Sequence, residues 1–451
     1  MKTRRRFFSL IILLVLTSAT LPALDRQPNA DYRARRTALA AKAGSGVIVL
    51  FAPMESEGPS ALYGFRQDDN FYYLTGWTEP GAVLLIAPEA KAKTGVDPHQ
   101  YTEILFLPAH NLVQERWTGP KLGADNAEAS KITGVDRVEV LDRVREVIVP
   151  LLPLPRSTVY SDIPEYGETS AAPTALDWLK RANAFAGYVS FQDVKPMLSA
   201  LRTHKDTGEI ELIRKATDAS VAAHLAVMKA MKSETNEREI SALLQYEWGK
   251  RGCERPAYAP IVGAGTNSTI LHYSADSSRI EQGDLVVIDA AGEYSMYASD
   301  ITRTLPANGK FTARQREIYD IVLGAANAAI AAFQSGKSNI RREGPDSLHR
   351  IAYEYINSHG KDLHGEPFGK YFIHGLSHYV GLNVHDDNDY AEPLGPGSVF
   401  TIEPGIYIPE EKLGVRIEDV FYVGKDGKLV NLSAALPRTA AEVEQTMSSS
   451  P

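Results

Sequence analysis

Two pairs of acidic residues, each spanning a predicted hairpin turn, constrain the fold of this chain most strongly. The first pair, Asp289 and Asp300, lies in the run 284–304, whose pattern predicts a strand, a turn and a second strand. If the chain folds back between Tyr294 and Ser295, Asp289 lies directly opposite Asp300. Opposed side chains have Cβ atoms about 5 Å apart, and like charges placed there are destabilising. The hairpin therefore needs a compensating cation.

The second pair, Glu403 and Glu418, repeats this design. A fold-back between Glu410 and Glu411 places its two acids opposite each other. Four carboxylates in largely apolar strands are balanced in charge by two divalent ions. Paired metal ions about 3.5–4 Å apart can share and activate one water molecule. The hairpins together predict a two-metal hydrolytic site. The alternative is four unrelated acids on solvated strand edges, which would be centred on two turns only by coincidence.

Histidines accompany both acid pairs. Three of the 11 histidines, His374, His378 and His385, fall within 12 residues just before the second pair, and His272 precedes the first pair. A histidine followed by two acids therefore occurs twice. This repetition predicts a duplicated helix-plus-hairpin unit, with the metal site at a pseudo-two-fold seam.

Six short segments carry a resemblance to a known family. These are residues 288–290, 299–304, 374–378, 384–386, 401–405 and 416–419. In order and spacing they resemble the metallopeptidase family of aminopeptidase P, prolidase and methionine aminopeptidase, which has the pita-bread fold. The stretch 66–83 resembles the additional N-terminal domain of the aminopeptidase P and prolidase branch, which methionine aminopeptidases lack.

The resemblance implies a ligand set for two metal ions. Asp289 would chelate one ion, and Asp300 would bridge both. His378 and Glu403 would bind the other ion, and Glu418 would bridge on the far side. One imidazole and four carboxylates form an oxygen-rich site that favours Mn²⁺ over the thiolate sites of structural zinc. Mn²⁺ is also what the resemblance implies, with Co²⁺ or Zn²⁺ as alternatives.

The resemblance also implies roles around the ions. Glu403 would act as general base, and His272, His374 and His385 would line the substrate cleft, stabilise the tetrahedral intermediate and pass protons. Arg416 lies two residues before the last acid, so on a strand it shares that face. It would orient a ligating carboxylate, or else be an exposed cation on an edge strand.

The implied activity is hydrolysis of the N-terminal Xaa–Pro bond of peptides by a homo-oligomeric enzyme, a dimer or tetramer. The alternatives are a prolidase restricted to Xaa–Pro dipeptides and a non-catalytic pita-bread protein that binds peptides or partners. One departure from the family concerns Asn70 and Lys195, which a loose alignment places where many bacterial aminopeptidase P sequences have an acid and an arginine. An Asn–Lys pair without charge complementarity is thus predicted near the mouth of the site.

The chain divides into four predicted segments. Residues 1–23 combine a basic start with a short apolar run and predict a cleaved signal peptide, with a twin-arginine route as one option and an uncleaved anchor as the alternative. This predicts an exported, periplasmic or secreted protein without a stable membrane span after processing. Removing residues 1–23, which contain four basic residues and no acid, takes the net charge from −8 to −12. An acidic protein without basic runs is a poor candidate for nucleic-acid binding.

The remaining segments follow from periodicity. In residues 24–200, strand-like runs at 46–51, 83–86 and 103–107 alternate with helical stretches and predict an α/β domain. Residues 201–443 are predicted to form an α+β pita-bread catalytic domain. Its helices are marked by an apolar stripe from Ile210 onward and by capping signals near Asn236 and Thr312. Residues 444–451 are predicted to be a disordered tail.

Overall fold

The computed structural model of the chain describes residues 25–55, 62–88, 101–151, 158–163, 179, 189–231 and 235–449. The predicted signal peptide, residues 1–23, lies outside the described residues. Among those residues, no helix is both long and apolar enough to span a lipid bilayer.

Helices and strands of the described residues are numbered in chain order. The α-helices are α1 Asn29–Ala43, α2 Asp69–Thr75, α3 Leu112–Thr118, α4 Ala129–Thr133, α5 Val144–Ile148, α6 Lys195–Arg202, α7 Thr207–Ala230, α8 Glu237–Gly249, α9 Ala313–Ala332, α10 Leu348–Ser358 and α11 Ala440–Ser448. The strands are β1 Val47–Phe51, β2 Val83–Pro88, β3 Tyr101–Leu107, β4 Arg137–Val140, β5 Thr158–Ser161, β6 Ser190–Asp193, β7 Arg255–Pro256, β8 Ile261–Ala264, β9 Leu285–Asp289, β10 Gly292–Glu293, β11 Thr302–Pro306, β12 Val399–Ile402, β13 Gly405–Ile408, β14 Leu413–Arg416, β15 Asp419–Val423 and β16 Leu429–Asn431.

The N-terminal domain is built on a mixed six-stranded sheet of order β4-β3-β2-β1-β5-β6. The three predicted strand runs form β1, β2 and β3, so the α/β assignment is confirmed. Both faces of the sheet are covered, as the alternation along β1 illustrates. Ile48 and Leu50 pack into one apolar core, and Val47 and Val49 into another. The domain boundary predicted at residues 200 and 201 falls inside α6.

The C-terminal domain repeats one design twice. Helices α7 and α8 pack together and precede the antiparallel sheet β11-β9-β8, and α9 and α10 pack together and precede the antiparallel sheet β12-β15-β16. Predicted helix starts are confirmed: the Asn236 side chain caps α8, and Thr312 and Gln315 form a capping box on α9. This α+β architecture is the predicted duplicated one.

The register of the second hairpin is as predicted. Gly405 pairs with Arg416 on β13 and β14, and Ile402 pairs with Asp419 on β12 and β15. Two residues lie between these partners on each arm, Glu403 and Pro404 on one and Ile417 and Glu418 on the other. The same register therefore places Glu403 opposite Glu418.

The register predicted for the first hairpin is wrong by two residues. Asp289 pairs with Thr302 rather than with Asp300. The chain reverses at Ser295 and Met296, which have φ of 49° and 73°. Because side chains on a strand alternate with a period of two, this shift keeps both aspartates on the same face.

The predicted disordered tail is also wrong for most of its length. Helix α11 continues to Ser448, and its first turn is closed by a capping box between Thr439 and Glu442. Val443 is buried and Met447 packs beside it against the core formed with α7 and α8. This packing fixes the segment in place.

Candidate metal centre

The five predicted metal-binding side chains converge where the two repeated units meet. Thr302 and Glu418 form a single β-bridge that joins the first hairpin to the second. Across this seam, Nε2 of His378 lies 3.2 Å from Oδ2 of Asp300, 3.4 Å from Oε1 of Glu403 and 3.9 Å from Oε1 of Glu418. Donor atoms of Asp300, His378 and Glu418 lie within 4.8 Å of one another, a spacing that one metal ion can span.

Burial, reinforced by mutual repulsion, dominates the electrostatics of this cluster. Burial raises the pKa of Asp300 well above its ordinary value, and the charge of Asp289 raises it further. Burial likewise raises the pKa of Glu403, with a contribution from Glu418, and that of Glu418, with a contribution from Asp300. Oε1 of Glu418 is buried and accepts no hydrogen bond from the described residues. This donor set therefore fits one or more bound cations.

Neutral groups next to the acids fix their orientation. The Thr302 hydroxyl donates to Oε2 of Glu418 at 2.6 Å, which leaves Oε1 directed into the cluster. Thr401 donates to Oε1 of Glu403 at 3.3 Å. Nδ1 of His378 lies 3.2 Å from the Tyr379 carbonyl, a contact that turns Nε2 towards the carboxylates. Such contacts around metal ligands orient the ligands and tune their basicity.

Arg416 is 3% exposed, so its alternative assignment as an exposed edge-strand cation is wrong. Its guanidinium donates to Oδ2 of Asp289 at 2.6 Å and to the Tyr407 hydroxyl at 2.8 Å. The carboxylate that Arg416 orients is thus Asp289, across the seam. Its Nε also donates to Thr302 at 3.1 Å, so the arginine holds both hairpins.

Tyr258 is part of the cluster but was not found from the sequence. Its hydroxyl oxygen lies 2.5 Å from Oδ1 of Asp289 and 2.5 Å from Oδ1 of Asp300. Burial and the neighbouring carboxylates raise its pKa well above the ordinary value, so the phenol stays protonated at neutral pH. Tyr258 lies 31 residues before Asp289 in irregular backbone, where spacing carries no signal.

The acids lie in a cavity of about 480 Å³ that opens to solvent, and His272, His374 and His385 all line it. The three histidines differ in their contacts. Both ring nitrogens of His374 are engaged, Nδ1 with the Gly375 carbonyl at 2.7 Å and Nε2 with the Tyr407 hydroxyl at 2.8 Å. The His385 ring instead lies edge-on to His378, with centroids 4.3 Å apart. Burial lowers the pKa of His374 to about 3 and that of His385 to about 4.

The predicted Asn70–Lys195 pair is wrong. Oδ1 of Asn70 accepts a hydrogen bond from Arg202 at 2.7 Å, and Lys195 pairs with Asp162 at 3.2 Å. Lys195 begins α6 and Arg202 ends it, so the two cations are a whole helix apart. Charge complementarity at this position is supplied by Arg202, which also meets Asp386.

Comparison with known proteins agrees with this geometry. Residues 211–425 match the model of metallopeptidase family M24, and residues 32–160 match the model of the aminopeptidase P N-terminal domain. The Xaa-Pro aminopeptidase of Escherichia coli K12 is 33% identical over 445 residues, covering 92% of this chain and 97% of the relative. Human Xaa-Pro aminopeptidase 3 is 33% identical over 423 residues, covering 89% and 80%.

Solved structures lead to the same group. Proline aminopeptidase P II from Yersinia pestis superposes with a TM-score of 0.81 at 31% identity, covering 93% of this chain and 99% of that one. Aminopeptidase P from Escherichia coli with the inhibitor Pro-Leu superposes with a TM-score of 0.81 at 30% identity, covering 94% and 99%. The chain therefore belongs to metallopeptidase family M24, as a two-domain metallo-aminopeptidase with the pita-bread architecture of aminopeptidase P.

Proposed function

We propose that this enzyme removes the N-terminal residue from peptides with proline in the second position, using two divalent ions, with Mn²⁺ as the expected metal. The single observation that carries the metal requirement is the charge of the centre. Four carboxylates, of Asp289, Asp300, Glu403 and Glu418, converge there, and Arg416 offsets one of them. Three negative charges then remain, so one divalent ion would leave the centre negative, whereas two would neutralise it.

Each proposed ligand is already directed towards the others. Asp289 and Asp300 share the Tyr258 hydroxyl, and Asp300, Glu403 and Glu418 surround Nε2 of His378. When bound, divalent ions would supply the missing positive charge and lower the pKa of a shared water molecule. An all-oxygen and imidazole donor set of this kind supports Mn²⁺.

Glu403 is proposed as the general base. Its Oε1 lies among the proposed ligands, while its Oε2 is 3.7 Å from Nδ1 of His374. The carboxylate could therefore accept a proton at Oε2 while Oε1 keeps its hydrogen bond from Thr401 and stays among the proposed metal ligands. Arg416 and Tyr407 keep His374 in place beside it.

His272 and His385 are proposed to act on the substrate directly. Both line the cavity, and the described residues offer no hydrogen bond to either ring. A neutral imidazole has one N–H donor and one acceptor nitrogen. Such a donor can bind the scissile carbonyl oxygen as negative charge develops on it. His374, with both nitrogens engaged, is proposed to position neighbouring groups instead.

The preference for proline is supported by the names of the relatives. Xaa–Pro is a tertiary amide without an N–H, so a peptidase that reads that N–H handles it badly. The test compares kcat/KM of the metal-loaded enzyme for an Xaa–Pro dipeptide, an Xaa–Pro–Xaa–Xaa tetrapeptide and a matched tetrapeptide with alanine second. We expect turnover of the Pro tetrapeptide equal to or above that of the dipeptide, with little cleavage of the alanine peptide. Cleavage of the dipeptide alone would identify a prolidase.

Export and self-association stay predictions. The basic and apolar start of the chain supports cleavage near Ala23. N-terminal sequencing of native protein should find Leu24 or a close neighbour, and recovery of Met1 in a membrane fraction would favour an anchor. Light scattering of the mature protein would decide whether it forms the predicted dimer or tetramer.

A further inference from the structure

The loop 381–387 presents His385 to the cavity but has no helix or strand of its own. Within the described residues, the His385 ring is not hydrogen-bonded. Its position is therefore set by the backbone of the loop together with the edge-on contact of the ring with His378. Asn383 accepts a hydrogen bond from the His385 backbone at 3.1 Å, and Asp386 accepts one from the Asn383 backbone at 3.1 Å.

The N-terminal domain contacts this loop directly. Arg66 donates to the Leu382 carbonyl at 2.7 Å across the domain boundary. The same guanidinium pairs with Glu293 at 2.8 Å and with Asp69 at 2.8 Å, so its fork is fixed at three points. Asp69 in turn accepts from the Asn383 side chain at 3.4 Å. Two side chains of residues 66–69 thus hold the loop next to His385.

The junction between the domains holds the other end of the loop. Arg202 contacts Asp386 at 2.6 Å, and Lys205 contacts its second oxygen at 2.9 Å. All three side chains are buried. Arg202 also lies 3.8 Å from Asp69, which links the junction to the N-terminal contact. Breaking a buried ion pair of this kind is strongly destabilising, because it leaves an uncompensated buried charge.

We infer that the N-terminal domain positions His385 for the reaction: Arg66 and Asp69, with Arg202 and Lys205 at the junction, are positioning residues that act through loop 381–387. This inference rests on the proposed function, which gives His385 its role on the substrate. A displacement of about 1 Å in a reacting geometry can cost on the order of 100-fold in rate. The domain that holds no proposed metal ligand thereby contributes to turnover.

The test is a double-mutant cycle with a matched control. Arg66→Gln should lower kcat/KM by roughly 10–100-fold, mainly through kcat, with metal content unchanged. In a His385→Ala background the same substitution should change kcat/KM less than about two-fold, because the group it positions is gone. The control is Arg33→Gln, since Arg33 has a similar side-chain exposure (28% against 25%) and pairs with Glu103 and Asp136 inside the N-terminal domain.

A second readout separates this inference from the proposed function. Hydrogen exchange of the peptide spanning 379–388 should become faster in Arg66→Gln and in the isosteric Asp69→Asn, and stay unchanged in Arg33→Gln. Absence of Xaa–Pro cleavage by the wild type would refute the proposed function, while the exchange data would still test the contact. Unchanged exchange in both variants, or an equal loss of kcat/KM with and without His385, overturns the inference.

Discussion

Two buried charge clusters lie close together in this molecule, and they are built in opposite ways. At the domain junction, Asp386 meets two buried cations, Arg202 and Lys205. Burial alone would raise the pKa of Asp386, but these cations hold it below its ordinary value. At the metal centre the carboxylates face one another and burial raises the pKa of Glu418 well above its ordinary value, while Arg416 offsets only part of the charge. The first cluster is balanced by the chain itself, and the second is balanced only by a ligand from outside.

Two consecutive residues show the same contrast. Glu418 and Asp419 are each 1% exposed. Asp419 contacts Arg303 at 2.7 Å and Arg438 at 2.7 Å, and these cations overcome burial to hold its pKa low. Glu418 points to the opposite side of the strand, towards Asp300 and Glu403. Burial of an acid therefore does not mark a metal site by itself; what distinguishes the metal centre is that several buried acids face one another with too few cations to pair them.

Removal of metal tests the unbalanced cluster and should have the largest effect. Chelation should reduce peptide hydrolysis to background, a loss of at least about 8 kcal/mol of transition-state stabilisation. Glu403→Ala should lose both activity and metal, since Glu403 is proposed as ligand and base. Elemental analysis of active wild type should give about two ions per chain. A fully active enzyme that saturates with one ion would contradict the dinuclear assignment.

Neutralising an acid that is already paired with buried cations should lower the free energy of unfolding and leave the metal content unchanged. Asp419→Asn leaves Arg303 buried without its carboxylate, a loss on the order of 3–5 kcal/mol in the free energy of unfolding. Metal content of the folded fraction should stay at the wild-type level. Chemical denaturation of metal-loaded protein measures the first quantity and elemental analysis the second. The control is Asp426→Asn, which removes an exposed pair with Lys428 and should change stability little. Equal changes in the free energy of unfolding for Asp419→Asn and Asp426→Asn would show that Asp419 is not a buried acid balanced by the chain's own cations.

The pH dependence of stability should differ between metal-free and metal-loaded protein. Burial and neighbouring charges raise the folded-state pKa of Asp300, Glu403 and Glu418. The metal-free folded state therefore holds protons that the unfolded state releases above about pH 4. Stability is full below that pH and falls as pH rises through the folded-state pKa values, by about 1.4 kcal/mol per pKa unit and group.

Bound metal ions would replace those protons, so the fall in stability with rising pH should vanish in the metal-loaded protein. Thermal unfolding from pH 5 to pH 8, with and without a chelator, measures the difference between the two forms. Contributions from balanced acids such as Asp386 are common to both forms and cancel. Glu403→Gln should flatten the metal-free curve. Parallel curves for the two forms would show that the cluster is not the source of the dependence.

The two hairpins show what the sequence can and cannot predict. The register of Glu403 and Glu418 followed from the equal lengths of the two arms. The register of Asp289 and Asp300 was missed because the turn at Ser295 and Met296 needs positive φ at both residues, and such turns are normally marked by Gly or Asn. Here the turn is held from a distance instead, by hydrogen bonds from the Ser295 backbone to the Glu254 carboxylate.

The residues of the candidate site likewise divide into those that the sequence predicts and those that it does not. The acids and histidines that the sequence singles out converge on one cavity, because the spacing of their motifs identifies them. Tyr258 and the Arg202 pairing of Asn70 were not found, because both depend on tertiary contacts between distant segments. The start of the C-terminal helix does carry a sequence signal, because Thr439 and Glu442 have the spacing of a capping box. The serine-rich end of the chain favours disorder instead, which is why the sequence predicts a tail there.

The smallest effect is expected at Lys195, the exposed N-terminal end of α6. Lys195 and Asp162 are each about one-third exposed, at 32% and 37%, and their pair is worth about 0–1 kcal/mol at most. Lys195→Ala should therefore leave the free energy of unfolding within about 1 kcal/mol of wild type. It should also leave kcat/KM unchanged for both the Xaa–Pro dipeptide and the tetrapeptide. Arg202→Met, at the buried end of the same helix, should lower both stability and kcat because Asp386 loses a partner. If the wild type instead cleaves the dipeptide alone and Lys195→Ala abolishes that cleavage, Lys195 binds the substrate carboxylate, and the enzyme works as a prolidase closed at that end of the cleft.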